Sequence, residues 1–309
     1  MLAVLYPGQG SQYAGMADPW ASHPAGRAVL DDGSEALGRD VAELCRDEEA
    51  LATTEWVQPA LFLCDLAAFR VLEAEGLRFE AAAGHSLGEF VALVSAGVIE
   101  LRPALDVVVE RGRAMQEASA ASPGAMTALI GLSVEDAAEL CAIAGRGDVL
   151  EVANENGPSQ VVLSGSVAAV ERAEELARSQ RARAVRLRVA GAFHSPLMRS
   201  ALQRVREAIS HLEFHEPRFD VVPNVSGRPT REPLALRDQL SRHVVSPVRW
   251  ERGVRAMADL GVDAFVEAGP GDVLAKLARR IVPGVDVTSV GSPAEAASLA
   301  AELNERVGS

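Results

Sequence analysis

Short apolar runs alternate with longer stretches of helical periodicity along this chain. Residues 2–6 are apolar over the length of a strand and predict a buried first strand. They run into Pro7-Gly8-Gln9-Gly10-Ser11-Gln12, where two glycines let the backbone approach a ligand closely; a plain turn is the alternative. Residues 27–55 read as helical and acidic, with Asp31, Asp32, Glu35, Asp40, Glu43, Asp47, Glu48, Glu49 and Glu55 on a solvated face. Gln58-Pro59 then opens an apolar helix from 60 to about 75, Pro59 fitting its first turn. Alanines 81–83 precede Gly84-His85-Ser86-Leu87-Gly88, and an apolar helical pattern covers 87–99. A helix over about 103–118 follows, in which helical spacing places Val107, Val108, Arg111 and Met115 on one face.

Residues 124–190 have a different rhythm. Strands at 125–130, 150–154, 160–165 and 184–189 are interleaved with helices at 133–144 and 167–180, the first capped by Ser133 with Asp136 three residues on. The order β-α-β-β-α-β is the ferredoxin-like pattern. After Gly191-Ala192-Phe193-His194-Ser195-Pro196 come a helix to about 211, a strand at 218–223, helical residues 239–245, and a helix from 250 through 260. A strand at 264–267, the turn Ala268-Gly269-Pro270-Gly271 and a last amphipathic helix bearing Lys276, Arg279 and Arg280 close the pattern. Helices alternating with short apolar strands predict an α/β fold with a mostly parallel sheet. The expected domains are a large one, 1–123 with 191–309, and a small inserted one, 124–190. Loops after the strands, at Gln9, Ser86, His194 and Gly269, then share one sheet edge, where active sites of such folds gather.

Bulk composition narrows the functional classes. The chain has 309 residues, 48% hydrophobic and 24% charged, ample for a large core, and a net charge of −13 that argues against nucleic acid. Three widely spaced cysteines, Cys45, Cys64 and Cys141, offer neither metal spacing nor a disulfide framework and suit a reducing compartment. The first residues lack a basic flank, and no stretch approaches the roughly 20 apolar residues of a membrane span. A cytoplasmic, monomeric protein is the expectation.

The pentapeptide at 84–88 has the G-x-S-x-G form. A serine so flanked fits a strained strand-to-helix turn that lifts its hydroxyl toward a helix N-terminus; an ordinary capping serine fits as well. A nucleophilic serine needs a base. Of the six histidines, His85 points away from its neighbour Ser86, and His23, His211, His215 and His243 read as surface residues. His194, in a small-residue loop after a strand, is the best positioned. No acid can be nominated, so the imidazole is expected to be oriented by backbone carbonyls. Arg111 on its apolar stripe is either a snorkelling edge residue or a paired charge.

P-G-Q-G-S-Q at 7–12, Q-P-A at 58–60, G-H-S-L-G-E at 84–89, R-G-R-A-M-Q-E at 111–117, N-G-P-S-Q at 156–160, A-F-H-S at 192–195, S-P-V-R-W at 246–250 and E-A-G-P-G at 267–271 occur in this order. Together they resemble malonyl-CoA:acyl carrier protein transacylases and the acyltransferase domains of polyketide synthases, over essentially the whole chain. The resemblance implies an α/β-hydrolase-like large domain beside the ferredoxin-like one. It implies Ser86 as acyl-accepting nucleophile and His194 as its base, with the backbone N–H groups of Gln9 and Leu87 as oxyanion hole. Arg111 would pair with the malonyl carboxylate, Gln58 and Met115 would line the pocket, and a main-chain carbonyl at Arg249 would orient the histidine. Leu87 after the nucleophile and Phe193 before the base imply malonyl over methylmalonyl. The implied partners are malonyl-CoA and an acyl carrier protein of a fatty acid or polyketide pathway, docking on Arg178, Arg181, Arg183, Arg186 and Arg188 or on Lys276, Arg279 and Arg280. No metal or redox cofactor is implied, the coenzyme A thioester being a substrate. A thioester hydrolase using the same Ser–His pair is the alternative.

Overall fold

The structure is a computed structural model that describes residues 1–308; Ser309, the end of the expected large domain, lies outside the described residues. The chain opens with β1 (Leu2–Tyr6) and passes through α1 (Asp18–Ala21), α2 (Pro24–Leu37), α3 (Val41–Leu44) and α4 (Glu48–Leu51) into α5 (Thr54–Ala74). β2 (Ala81–Gly84), α6 (Gly88–Ser95) and α7 (Leu101–Ala121) follow. Next come β3 (Gly124–Ile130), α8 (Val134–Gly145), β4 (Leu150–Gly157), β5 (Gln160–Ser166), α9 (Val167–Ser179) and β6 (Arg183–Arg186). The remainder is α10 (Arg199–Ser210), β7 (Asp220–Val222), α11 (Pro233–Leu240), α12 (Trp250–Asp259), β8 (Ala264–Ala268), α13 (Val273–Ile281), β9 (Asp286–Val290) and α14 (Pro293–Gly308).

Five strands form a parallel sheet in the order β7-β2-β1-β8-β9. The three central strands, β1, β2 and β8, read as near-continuous apolar runs because both of their faces are covered. Alternate residues enter opposite cores: Val4, Tyr6 and Ala82 join α5 and α6 on one side, Ala3, Leu5 and Ala81 join α12 and α13 on the other. The other four strands form an antiparallel sheet ordered β4-β5-β3-β6, with α8 and α9 packed on it. Because the larger sheet is wholly parallel, the loops after β1, β2, β7 and β8 emerge at one edge, and the site is built there.

Several expected elements differ in extent, each for a local reason. The acidic stretch 27–55 is not one helix. Gly38 in left-handed backbone ends α2, and two of the acids start new helices: Asp40 accepts from the Glu43 N–H at 2.8 Å and Asp47 from the Ala50 N–H at 2.9 Å. Thr53 caps α5 ahead of Gln58, so Pro59 lies in the second turn and Gln58 is a buried helical residue. α11 starts at Pro233 and stops at Leu240, where helix 239–245 was expected; His243–Val245 is a separate 3-10 turn. β6 ends at Arg186, and 187–193 leave the small sheet as irregular chain. α13 is not the last helix. β9, an edge strand with exposed Asp286 and Thr288, and α14 complete the large sheet's flank.

Candidate active site

The backbone turns sharply at the end of β2, and Ser86 adopts φ 52°. Left-handed backbone costs a non-glycine residue roughly 1–2 kcal/mol. The flanking glycines make the turn possible. A Cβ on Gly84 would lie 1.9 Å from the Gly88 carbonyl, and one on Gly88 would lie 2.3 Å from the Tyr6 oxygen. Ser86 therefore stands at the N-terminal end of α6, beyond the sheet edge.

His194 also has positive φ, 58°, in the loop returning from the small sheet. Its Nε2 lies 2.8 Å from Ser86 Oγ. Its Nδ1 lies 3.0 Å from the Ser246 carbonyl oxygen and 3.1 Å from that of His243. Carbonyl oxygens only accept, so Nδ1 carries the proton and Nε2 presents its lone pair to the serine hydroxyl. Burial, then the Arg111 charge and His85, push the imidazole down to about 3, leaving it neutral at pH 7. Two expectations are corrected here. The Arg249 carbonyl accepts from the Gly253 N–H inside α12, so the orienting carbonyls belong to Ser246 and His243. His243 is not a surface residue: it is 1% exposed, with its ring 5.3 Å from that of His194.

Arg111 is 1% exposed on the inner face of α7. Nη2 donates to Ser86 Oγ at 3.0 Å and Nη1 to Gln58 Oε1 at 2.5 Å, while Nε has no partner among the described residues. Its guanidinium carbon lies 5.9 Å from the Phe90 ring centroid. Desolvation pulls its pKa down to about 10, Glu89 opposing, so it stays charged at pH 7. Gln58 in turn donates to Met115 Sδ at 3.6 Å. The planar fork is thus aimed at the serine oxygen by a buried chain of contacts.

Gln9, Leu87, Arg111, Met115, Phe193 and His194 surround Ser86 in a cavity of about 80 Å³. The N–H groups of Gln9 and Leu87 donate to no atom of the described residues, as an oxyanion hole requires. Gln9, His85, Asn154 and Leu187 also border an adjoining cavity of about 200 Å³ that runs out between the 7–11 loop, β4, β5 and α13. A larger cavity of about 590 Å³ lies at the opposite sheet edge, around Met1, Glu80 and Asp263, and holds none of the site residues. Among the described residues no three His, Cys, Asp or Glu side chains gather as a metal site would need, and no helix is long and apolar enough to cross a membrane.

Residues 4–299 match the acyl transferase domain. The malonyl CoA-acyl carrier protein transacylase of Escherichia coli K12 is 39% identical over 96% of this chain and 97% of its own; that of Bacillus subtilis 168 is 35% identical over 94% of each. The chain belongs to the malonyl CoA-acyl carrier protein transacylase family. Among solved structures, the transacylase of Xanthomonas oryzae superposes with a TM-score of 0.93 at 39% identity, covering 97% of this chain and 98% of that one. A malonyl-transacylase solved in complex with its type II PKS acyl-carrier protein gives 0.93 at 36% identity, covering 97% and 99%. Within this transacylase fold, sequence reasoning assigned no role to Glu89 or Asn224. Both are buried beneath the elbow, bonded to each other and to its backbone. Glu89 stands in the quoted G-H-S-L-G-E motif. The only sequence signal for Asn224 is an asparagine just past an apolar strand.

Proposed function

We propose that this chain moves malonyl from coenzyme A to the phosphopantetheine thiol of an acyl carrier protein through a malonyl ester on Ser86. His194 Nε2 takes the Ser86 proton as Oγ attacks the thioester carbonyl. The oxyanion is received by the Gln9 and Leu87 N–H groups. The C–S bond then breaks, and the imidazolium returns the proton to the departing coenzyme A thiolate. In the second half-reaction the carrier thiol gives its proton to His194, attacks the ester carbonyl, and Ser86 leaves as the hydroxyl it was. Both halves pass through the same tetrahedral geometry, so one set of groups serves both.

The observation that carries this reading is the Arg111 guanidinium, buried and 3.0 Å from the nucleophilic oxygen. The carboxylate of a malonyl ester lies one methylene beyond the ester carbonyl, beside that fork, and a planar guanidinium suits it bidentately. The same contact tunes the base. Burial is the main cause that holds His194 down and the Arg111 charge the next; a bound carboxylate cancels that second part, so the imidazole gains some basicity when an acid-terminated acyl group is seated. Phe193 lines the small cavity and crowds an α-methyl group, favouring malonyl over methylmalonyl by the about 1–3 kcal/mol that one methyl allows.

Coenzyme A thioester enters as substrate, and these steps call for no metal or redox cofactor. A single chain supplies every group named, which supports a monomer, and the three buried free cysteines support a cytoplasmic setting. The test is to load the protein with malonyl-CoA, add holo carrier protein, and take intact masses of both. Transfer of the malonyl mass to the carrier is the expected result. Release of free malonate with the carrier left bare would instead make it a hydrolase, an alternative without support among the relatives named above.

A further inference from the structure

We propose that Asn224, anchored by Glu89, is a positioning residue for the nucleophile: it holds Ser86 in its left-handed backbone, with Oγ on His194. This rests on the acyl-serine reading above and adds to it what fixes the serine in place.

The β2–β7 ladder ends at the Ala83–Val222 pair, and the residue that follows β7 is Pro223, which has no N–H to donate. The Asn224 side chain takes over where the backbone cannot. Its Nδ2 donates to the Gly84 carbonyl at 2.7 Å, and its Oδ1 accepts the Ser86 N–H at 2.7 Å. One amide thus spans both sides of the elbow and fixes the orientation of the peptide units around His85. The amide is itself held: the Asn224 backbone N–H donates to Glu89 Oε2 at 2.9 Å, and Glu89 is the second residue of α6, the helix the elbow leads into. Asn224 and Glu89 are 4% and 1% exposed, so water does not compete for these bonds.

The circuit Gly84–Asn224–Glu89–α6 closes on the residue with positive φ. Freed of it, Ser86 has a lower-energy backbone available, and relaxing toward negative φ swings Oγ off the His194 lone pair. Glu89 has a second neighbour, the His243 ring at 3.8 Å, whose carbonyl also orients His194. One buried carboxylate therefore lies between the supports of the nucleophile and of the base. What Asn224 requires of Glu89 is an oxygen, which a glutamine also supplies.

The experiment is rapid-quench intact-mass measurement of malonylation by malonyl-CoA for the wild type, Asn224→Ala, Glu89→Ala and Glu89→Gln, each checked for folding by thermal melting. Malonylation of the wild type is the control for the acyl-serine reading; if it takes up no malonyl, that reading fails whatever the variants do. The expected result is a loss of acylation rate of about 10- to 100-fold in Asn224→Ala and in Glu89→Ala, the scale of a nucleophile misplaced by about an ångström. The half-saturating malonyl-CoA concentration stays within about twofold, since no binding group is removed. Glu89→Gln recovers most of the loss. A folded Asn224→Ala that acylates within about twofold of wild type, or one altered only in half-saturation, overturns the proposal. Should Asn224→Ala fail to fold, the Glu89 pair decides, and equal rates in its Ala and Gln forms overturn it.

Discussion

Among the described residues, four other than glycine have backbone in the left-handed region, two serving each sheet. Arg146 and Arg181 belong to the antiparallel unit, where they end α8 and follow the cap of α9. Their side chains are exposed, and the local conformation only stops a helix. Ser86 and His194 meet at the edge of the parallel sheet, 2.8 Å apart through Oγ and Nε2. Buried polar groups converge on them: Asn224 on the serine N–H, two carbonyls on the imidazole, Arg111 on the hydroxyl. Equal backbone strain thus has unequal meaning. It marks chemistry only where buried partners over-determine it.

The same division holds for whole sheets. The parallel unit and its loops carry Ser86, Arg111 and the unpaired N–H groups of Gln9 and Leu87, to which the attacking, charge-pairing and oxyanion-accepting roles are proposed. The antiparallel unit supplies walls, through Met126 and Asn154, and the exposed arginines at its rim.

The largest way to break this contrast is at the base. His194→Ala should slow malonylation of Ser86 by at least about 100-fold, read by rapid-quench mass measurement. If His85→Ala is crippling and His194→Ala mild, the base is misassigned. Next is Arg111→Ala, which should lower malonyl transfer and spare or raise acetyl transfer, because acetyl leaves the wild-type arginine without its carboxylate. Removing that charge also relieves part of the depression of His194, burial remaining the larger cause. The acid limb of the residual pH–rate profile should therefore move to higher pH, and an unmoved limb would deny the coupling.

A smaller effect is expected at the rim. Arg280 reaches Gln160, which borders the outer cavity, and Arg181, Arg183 and Arg188 are exposed on the antiparallel unit. Charge reversal in either group should raise the carrier KM several-fold, roughly the effect of rim charges on association, and leave acylation by malonyl-CoA unchanged. Carrier kinetics and salt dependence unaltered in both groups would make these arginines solvated faces only. The smallest effect contrasts the strained positions themselves: Arg146→Gly should leave acylation intact and alter stability by at most about 1 kcal/mol.

Much of this was legible in the sequence because local signals carried it. The apolar runs of β1 and β8, the glycines around Ser86 and the β-α-β-β-α-β order each depend on neighbouring residues. Absence of a nominable acid correctly pointed to carbonyls as the partners of His194. Which carbonyls they are was not legible, since the 3-10 turn at His243–Val245 is set by how α11 ends and not by periodicity. His243 resembled a surface residue for the same reason. Asn224 meets Ser86 across 138 residues of chain, and no pattern in either segment announces the meeting. The edge strand β9 escaped because Ser289 shares a side with Val287 and the buried Val290 a side with exposed Asp286 and Thr288, which breaks its alternation.

The most direct test of the central claim is intact mass after incubation with malonyl-CoA, with methylmalonyl-CoA and acetyl-CoA in parallel, for the wild type and Ser86→Ala. The account predicts one malonyl added to the wild type, less methylmalonyl, far less acetyl, and nothing on Ser86→Ala, which should fold normally. A malonyl adduct on Ser86→Ala, or acetyl and malonyl loading at comparable kcat/KM, would contradict it.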